Sequence, residues 1–407
     1  MSARKRTSQL VREITSLPAL PPVVQRLLAV LQDPDYTAEQ VTAVVRTDPA
    51  LTARVLKLAN SPAFGAPRTV DGVARAVVIL GSRNLRSLVT AAGMAEAVAR
   101  MRGGADHEDL WCHAAWTATA AQVLATRSGH PCPEEAFLAG LIHDIGELAL
   151  AVVRPREYAR LRGLPVERQL DAEREILGMT HTRAGQQLLS AWNLPEEVAA
   201  FAGQHHLREA VLAPENRTLA VVALADLLSR IRGLGREAPP EEWLARKLVD
   251  LVAPKSGLSA ELLRQIDLRY LETSRFLHPE RARIQAPFCG GEPRRVTLVG
   301  ADPQRSLWLH ELLSYHGQIV VPFTEYFAAP ESVDLVLLDP RSLDHHALAR
   351  VAPALALTPD RLALYADPDV NELADELPPD LPVLPIFFGR QEFDALPAAE
   401  ARTLSPR

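Results

Sequence analysis

Up to about residue 277, apolar residues recur every three or four positions, the spacing of helices that bury one face. The pattern predicts helices over 23–31, 35–46, 49–60, 73–80, 84–101, 107–127, 133–153, 155–161, 166–177, 180–191, 195–205, 217–230, 241–251 and 259–277. Local signals support several starts. Pro21-Pro22 precedes the first helix, Thr37 with Gln40 three residues on reads as a capping box, and Asp48-Pro49 opens the next helix. From about 281 to 294 the periodicity lapses into RARIQAPFCGGEPR, a linker composition. Beyond it the period shortens. Short apolar runs at 296–300, 319–322, 335–339, 362–365 and 383–388, with helical stretches such as 304–316 and 345–354 between them, predict a doubly wound parallel sheet. The expected chain is therefore multidomain: an all-α bundle with a helical tail over 1–277, a linker over 278–293, and a smaller α/β unit over 294–398.

Charge sharpens that division. Residues 294–407 hold 9 arginines against 17 acidic residues, a net −8, while 1–293 hold 35 basic against 33 acidic, a net +2. An acidic C-terminal part argues against a grip on phosphate backbones, and aromatics at 5% exclude broad base-stacking platforms, so nucleic acid is not an expected partner. No apolar run is expected to reach the roughly 18 residues of a membrane span, and the basic Arg4-Lys5-Arg6 lacks a following apolar stretch, so neither membrane insertion nor a secretory leader is expected. Three cysteines without a CxxC pair (Cys112, Cys132, Cys289) read as reduced thiols in a cytoplasm.

The helical part contains one set of residues suited to chemistry: His113, His143, Asp144, His181, His205, His206 and Asp226. Imidazoles and carboxylates together suit a divalent metal such as Mn, Fe, Zn or Mg, and facing helices can supply ligands to one bundle core. Each residue alone has a blander reading. His113 could be a satisfied core residue, the His205-His206 pair could serve a helix end, and Asp226 sits on an apolar face where a carboxylate needs a partner.

Several ordered motifs resemble the HDOD domain family. They are Leu17-Pro18-Ala19-Leu20-Pro21, Asp48-Pro49-Ala50-Leu51-Thr52-Ala53-Arg54-Val55-Leu56, Ala59-Asn60-Ser61, Ala76–Gly81, Gly140–Gly146, the His181…Gly185…Leu189…Trp192…Leu194-Pro195 stretch and Ala225-Asp226. The resemblance runs from about Leu10 to Arg232, with an HDOD-like tail to Leu277. It implies an all-helical relative of the HD phosphohydrolases that acts as a non-catalytic output module in bacterial signalling. His113, His143, Asp144 and Asp226 resemble the H…HD…D metal pattern of that superfamily, and His181, His205 and His206 resemble the extra ligands of the HD-GYP cyclic-di-GMP phosphodiesterases. Two departures stand out: Glu147 replaces the usual Lys, and Leu207-Arg208-Glu209-Ala210 follows the His pair in place of Gly-Tyr-Pro. The phosphate-binding cation is thus expected to be missing.

The C-terminal unit resembles a response-regulator receiver in which Asp339 fits the phosphoacceptor position. Gly300 and Ala301 stand where the Mg²⁺-binding acidic pair belongs, only Asp302 remains, and no Lys follows Lys255, so phosphotransfer is not expected. The resulting expectation is a cytoplasmic bacterial regulatory protein that works by contact with signalling partners, compatible with a homodimer and with a bound nucleotide. The alternative is a metal-dependent phosphohydrolase of a nucleotide or phosphoester, with Asp144 orienting water.

Overall fold

The structure is a computed structural model that describes residues 3–31, 33, 35–60, 69–101, 105–161, 164, 166–232, 234, 242–253, 258–277, 293–299, 310–311, 313–316, 318–321, 332–338, 362–365 and 383–384. The helices are α1 (Ala3–Thr15), α2 (Pro22–Leu31), α3 (Ala38–Val45), α4 (Pro49–Ala59), α5 (Val73–Leu80), α6 (Ser82–Arg100), α7 (Ala105–Arg127), α8 (Pro133–Ile142) and α9 (Ile145–Val153). They continue as α10 (Pro155–Tyr158), α11 (Val166–Ile176), α12 (His181–Ala191), α13 (Glu196–Gln204), α14 (Arg208–Leu212), α15 (Arg217–Ile231), α16 (Glu242–Val252) and α17 (Ala260–Leu277).

Local chemistry accounts for the starts. Gln40 N–H donates to Thr37 Oγ1 at 3.3 Å while Thr37 N–H donates to Gln40 Oε1 at 2.7 Å, closing the expected capping box of α3. Asp48 accepts from Leu51 N–H at 2.9 Å, with Pro49 in the first turn of α4. The bundle interior is built largely from the Ala- and Leu-rich faces of α6, α7, α8, α9 and α15, with Trp116 and Phe137 among its largest fully buried side chains.

Three features differ from the pattern-based expectation. Helix α1 precedes the first expected helix and buries Leu10 and Ile14. A short α14 follows the histidine pair. Most consequentially, the expected helix over 133–153 is two helices: α8 ends at Ile142, Asp144 has φ −105° and ψ 17°, and α9 begins at Ile145. By length and a mean hydropathy of 1.8, Pro133–Val153 is apolar enough to cross a membrane, contrary to the expectation that no run is. The segment is instead broken in the middle and lies mostly inside the bundle.

Two glycines set how closely these helices approach. A Cβ on Gly140 would sit 2.8 Å from Ala118 Cα, so α8 lies against the backbone of α7. A Cβ on Gly146 would collide with the His181 carbonyl and the Gly185 amide, so the start of α9 rests on the start of α12.

After the bundle come five parallel strands, β1 (Arg295–Val299), β2 (Ile319–Val320), β3 (Leu335–Leu338), β4 (Leu362–Tyr365) and β5 (Val383–Leu384), in spatial order β2-β1-β3-β4-β5. Registers such as Val296↔Leu335 and Leu337↔Ala363 join β1, β3 and β4, and all four residues of β3 are buried. Every expected strand is present, and the order is that of a doubly wound sheet. Gly300, Ala301, Asp302 and Asp339, on which a receiver assignment turns, lie outside the described residues, as do most of the expected connecting helices and the linker.

Helix α17 ties the sheet unit to the bundle. Asp267 is buried and accepts from Trp116 Nε1–H (2.8 Å), Arg232 Nε–H (3.0 Å) and Tyr315 O–H (2.8 Å). Glu311 accepts from Ala260 N–H at 2.7 Å, occupying an amide at the start of α17 that no turn of the helix could satisfy.

Candidate metal centre

All seven residues singled out in the sequence converge. His113 comes from the middle of α7, His143 caps α8, and Asp144 occupies the break before α9. His181 opens α12, His205 caps α13 with His206 next to it, and Asp226 comes from α15. The α8–α9 break puts two consecutive side chains, His143 and Asp144, into the interior together, which an unbroken helix would splay by about 100°.

Asp144 is the centre. Its Oδ2 lies 3.2 Å from His143 Nε2 and 3.5 Å from His113 Nε2, and its Oδ1 lies 2.9 Å from His205 Nε2 and 3.5 Å from His181 Nε2. Asp226 Oδ1 is 3.3 Å from His113 Nε2 and 3.9 Å from His143 Nε2. The Nε2 atoms also face one another: His113 and His143 at 3.3 Å, His181 and His205 at 3.3 Å, His206 and His181 at 3.1 Å. One carboxylate therefore joins two ligand groups, His113–His143–Asp144–Asp226 and Asp144–His181–His205–His206.

The outer ring nitrogens show which way the protons point. His143 Nδ1 meets Gly140 O at 2.8 Å and His205 Nδ1 meets Ala202 O at 3.0 Å, contacts in which the nitrogen must donate. Ser229 Oγ donates its one hydrogen to Asp226 O, so at 2.8 Å it accepts from His113 Nδ1. His181 Nδ1 lies 2.9 Å from both oxygens of Glu173. In the neutral tautomer set by these partners, four imidazoles turn Nε2 lone pairs into one buried space. Around a cation with bonds of about 2.0–2.1 Å, tetrahedral donors stand about 3.3 Å apart, so the observed separations fit a metal shell. His205 shows how both sequence readings hold at once: Nδ1 serves the helix end and Nε2 faces the cluster.

Two further observations test the fit. Asp144 Oδ1 is buried and takes no hydrogen bond, because His205 presents a lone pair to it. A cavity of about 20 Å³, enough for one small occupant, is lined by His113, Asp144, Glu147, His206 and Arg230. The residues fit a divalent cation.

Without a cation, protons balance the carboxylates. Burial lowers the affinity of His113 for a proton, but hydrogen bonds to Asp144 and Asp226 outweigh it and push its pKa up to about 9. His181 behaves alike: burial is overcome by Glu173 and then Asp144, and its pKa is also about 9. His205 and His206 are held below the ordinary imidazole value, first by burial; for His206 the neighbouring imidazoles add to it. Asp226 is opposed by burial yet held far below the usual carboxylate range by Arg230 and His113, and Asp144 is likewise lowered, chiefly by the charge of His143.

The expected lack of a cationic group is overturned. Arg230 NH2 donates to Asp226 Oδ2 at 2.6 Å, and Arg230 Nε donates to Asp226 Oδ1 at 3.2 Å. Arg230 and Arg208 both line a cavity of about 300 Å³ that opens over His143, His205, His206 and Asp226, walled by apolar residues including Val222, Leu227, Leu244 and Leu248. The Asp226…Arg230 spacing of four on α15 was a readable signal, since such pairs meet on one helix face. Glu147 brings a carboxylate rather than a cation to the edge of the small cavity, where it accepts from Tyr158 O–H at 2.7 Å and from Gln169.

Residues 17–207 match the family model of the HDOD domain. This segment is an HDOD domain. Six of the seven clustered residues lie within it, whereas Asp226, Arg230 and the apolar wall from α16 lie after it. An HDOD domain protein of unknown function from Geobacter sulfurreducens is 28% identical, covers 68% of this chain and 99% of its own, and superposes with a TM-score of 0.54. A candidate phosphohydrolase from Shewanella amazonensis SB2B is 27% identical over 66% of this chain and 97% of its own, with a TM-score of 0.50. A candidate signal transduction protein from Marinobacter aquaeolei VT8 is 26% identical over 68% of this chain and 64% of its own, with a TM-score of 0.51. An uncharacterised protein of Treponema pallidum (strain Nichols) is 28% identical over 246 residues; the match takes in 58% of this chain but only 46% of that protein.

Proposed function

We propose that the HDOD domain, with α15 and α16, forms a divalent-cation-dependent phosphoester hydrolase site within a signalling protein. The observation that carries this reading is the set of Nε2 atoms turned onto both oxygens of Asp144, with their Nδ1 atoms held from outside. When bound, a divalent cation polarises a phosphoryl oxygen and lowers the pKa of water. His113, His143, Asp144 and Asp226 would hold one such ion, and Asp144, His181, His205 and His206 another.

The chain's own residues supply the rest. Asp144 would orient the attacking water, whose oxygen forms the new P–O bond as the ester P–O bond breaks; the water's proton passes to solvent and the departing alkoxide takes one from it. Arg230 and Arg208 face the cavity where the phosphoryl oxygens would lie, and the apolar wall receives the organic part of the ester. A volume of about 300 Å³ is at the small end for ligand pockets, which favours a phosphomonoester or mononucleotide over a cyclic dinucleotide.

A second reading keeps the domain non-catalytic and cation-sensing. It is favoured by Arg230, which spends two hydrogen bonds on Asp226 and so is held away from a substrate. On either reading we take the protein to be a bacterial cytoplasmic regulator. The acidic sheet unit would be a pseudo-receiver that recruits a partner or a second copy, as its strand order and missing Lys suggest.

The test is cation content after purification without chelator, followed by hydrolysis of p-nitrophenyl phosphate and bis(p-nitrophenyl) phosphate with Mn²⁺. Turnover should fall to background in Asp144→Asn and in His143→Ala with Asp144→Ala. Cation uptake with no turnover on these esters or on a nucleotide panel would favour the sensing module.

A further inference from the structure

The two ligand groups differ in what stands behind their histidines. His143, His205 and His113 lean on neutral acceptors, two carbonyls and a hydroxyl. His181 leans on Glu173, a fully buried carboxylate on α11. The same carboxylate also accepts the His181 backbone N–H at 2.7 Å, so it grips this residue by ring and main chain together. Glu173 is itself held by Gln169 Nε2 at 2.9 Å, and that amide also bonds Glu147, which Tyr158 anchors from the far side at 2.7 Å. Gln169 and Glu147 also border the cavity of about 20 Å³ beside the cluster, whereas Glu173 meets His181 on its Nδ1 side, away from the Nε2 atoms.

A carboxylate behind an imidazole does two things that a carbonyl does not. It makes the ring a better electron donor, and it places a formal negative charge near the cation. We infer that Glu173 is a positioning residue that makes Asp144–His181–His205–His206 the tighter of two divalent-cation sites, filled before His113–His143–Asp144–Asp226. This rests on the reading of the cluster as a cation centre, not on the hydrolase activity.

The test is titration of Co²⁺, followed by its visible absorption, into the chelator-stripped full chain. Two steps of unequal affinity are expected. Glu173→Gln keeps the side-chain size and an acceptor for the His181 amide but removes the charge; it should weaken the first step by about 10–100-fold and leave the second in place. His113→Ala should remove the second step alone. Glu173→Asp, read in parallel in case the Gln variant fails to fold, should weaken the first step less than Gln does. Equal weakening of both steps, or no change in Glu173→Gln, overturns the inference while leaving the cation centre intact. No Co²⁺ uptake by the wild type overturns both. Two-step uptake without ester hydrolysis overturns only the hydrolase reading.

Discussion

Two buried polar clusters sit in this bundle, and they obey different rules. Around Asp267 every donor meets an acceptor: Trp116, Arg232 and Tyr315 all give hydrogen bonds to one carboxylate. Around Asp144, with the imidazoles neutral, acceptor meets acceptor: Nε2 lone pairs face one another, a carboxylate oxygen is left without a hydrogen bond, and only added protons or a cation can fill the gap. Both use the same helices, for Trp116 is one turn past His113 on α7, and Arg232 follows three residues after Ser229 at the end of α15. A closed cluster strengthens a core on its own. An open one needs something else to complete it, and that separates a structural network from a site.

The largest expected difference between them is in pH. His113 and His181 have folded-state pKa values of about 9 against an ordinary 6.5. Their contribution to stability is therefore fully present below about 6.5 and is lost as pH rises through about 9, an effect on the order of several kcal/mol in the cation-free protein. Cations compete with those same protons, so the stabilisation that Mn²⁺ confers should grow across the same window. Thermal unfolding with chelator and with Mn²⁺, from pH 6 to 9.5, should give curves that diverge as pH rises. Parallel curves would mean that nothing replaces the protons.

Next in size is Asp267→Ala. It removes the buried carboxylate that Arg232, Trp116 and Tyr315 share, breaking a buried ion pair from one side, a loss of about 3–5 kcal/mol. Urea unfolding should show this drop, with the pH dependence of stability unchanged, because the cluster around Asp267 contains no imidazole. Co²⁺ uptake below the unfolding transition should be retained. A lost pH dependence would merge the two clusters into one.

The contrast also explains what the amino-acid pattern could reveal. Helical periodicity, the Thr37–Gln40 capping box and the five apolar runs are local, and each appears as expected. The seven chemical residues were legible because His and Asp are conspicuous on apolar faces. The α8–α9 break was not, because Ile142 and Ile145 preserve apolar spacing across it. Nor was Glu173, since Gln169…Glu173 reads as an ordinary polar helix face until packing buries it; the Asp226…Arg230 spacing is readable, but only packing shows that the pair faces the cluster. Charge in a helix becomes chemistry only when tertiary contacts exclude water from it.

The smallest effect is the most informative about how the sheet unit is attached. Tyr315→Phe removes one hydroxyl and leaves Asp267 Oδ2 a buried acceptor short of that bond, while Trp116 and Arg232 still hold Oδ1. The loss should be about 1–3 kcal/mol, less than for Asp267→Ala because Arg232 keeps its counter-charge. Amide exchange should quicken in α17 and in residues 313–316, where the contact is made, and stay unchanged at the start of α12, where Glu173 holds His181. Co²⁺ affinity should also be unchanged. A shift in Co²⁺ affinity would break the division drawn above, for it would mean that the contact with the sheet unit reaches the ligands of α7 and α15 and that the closed cluster is a joint between the sheet unit and the candidate metal centre.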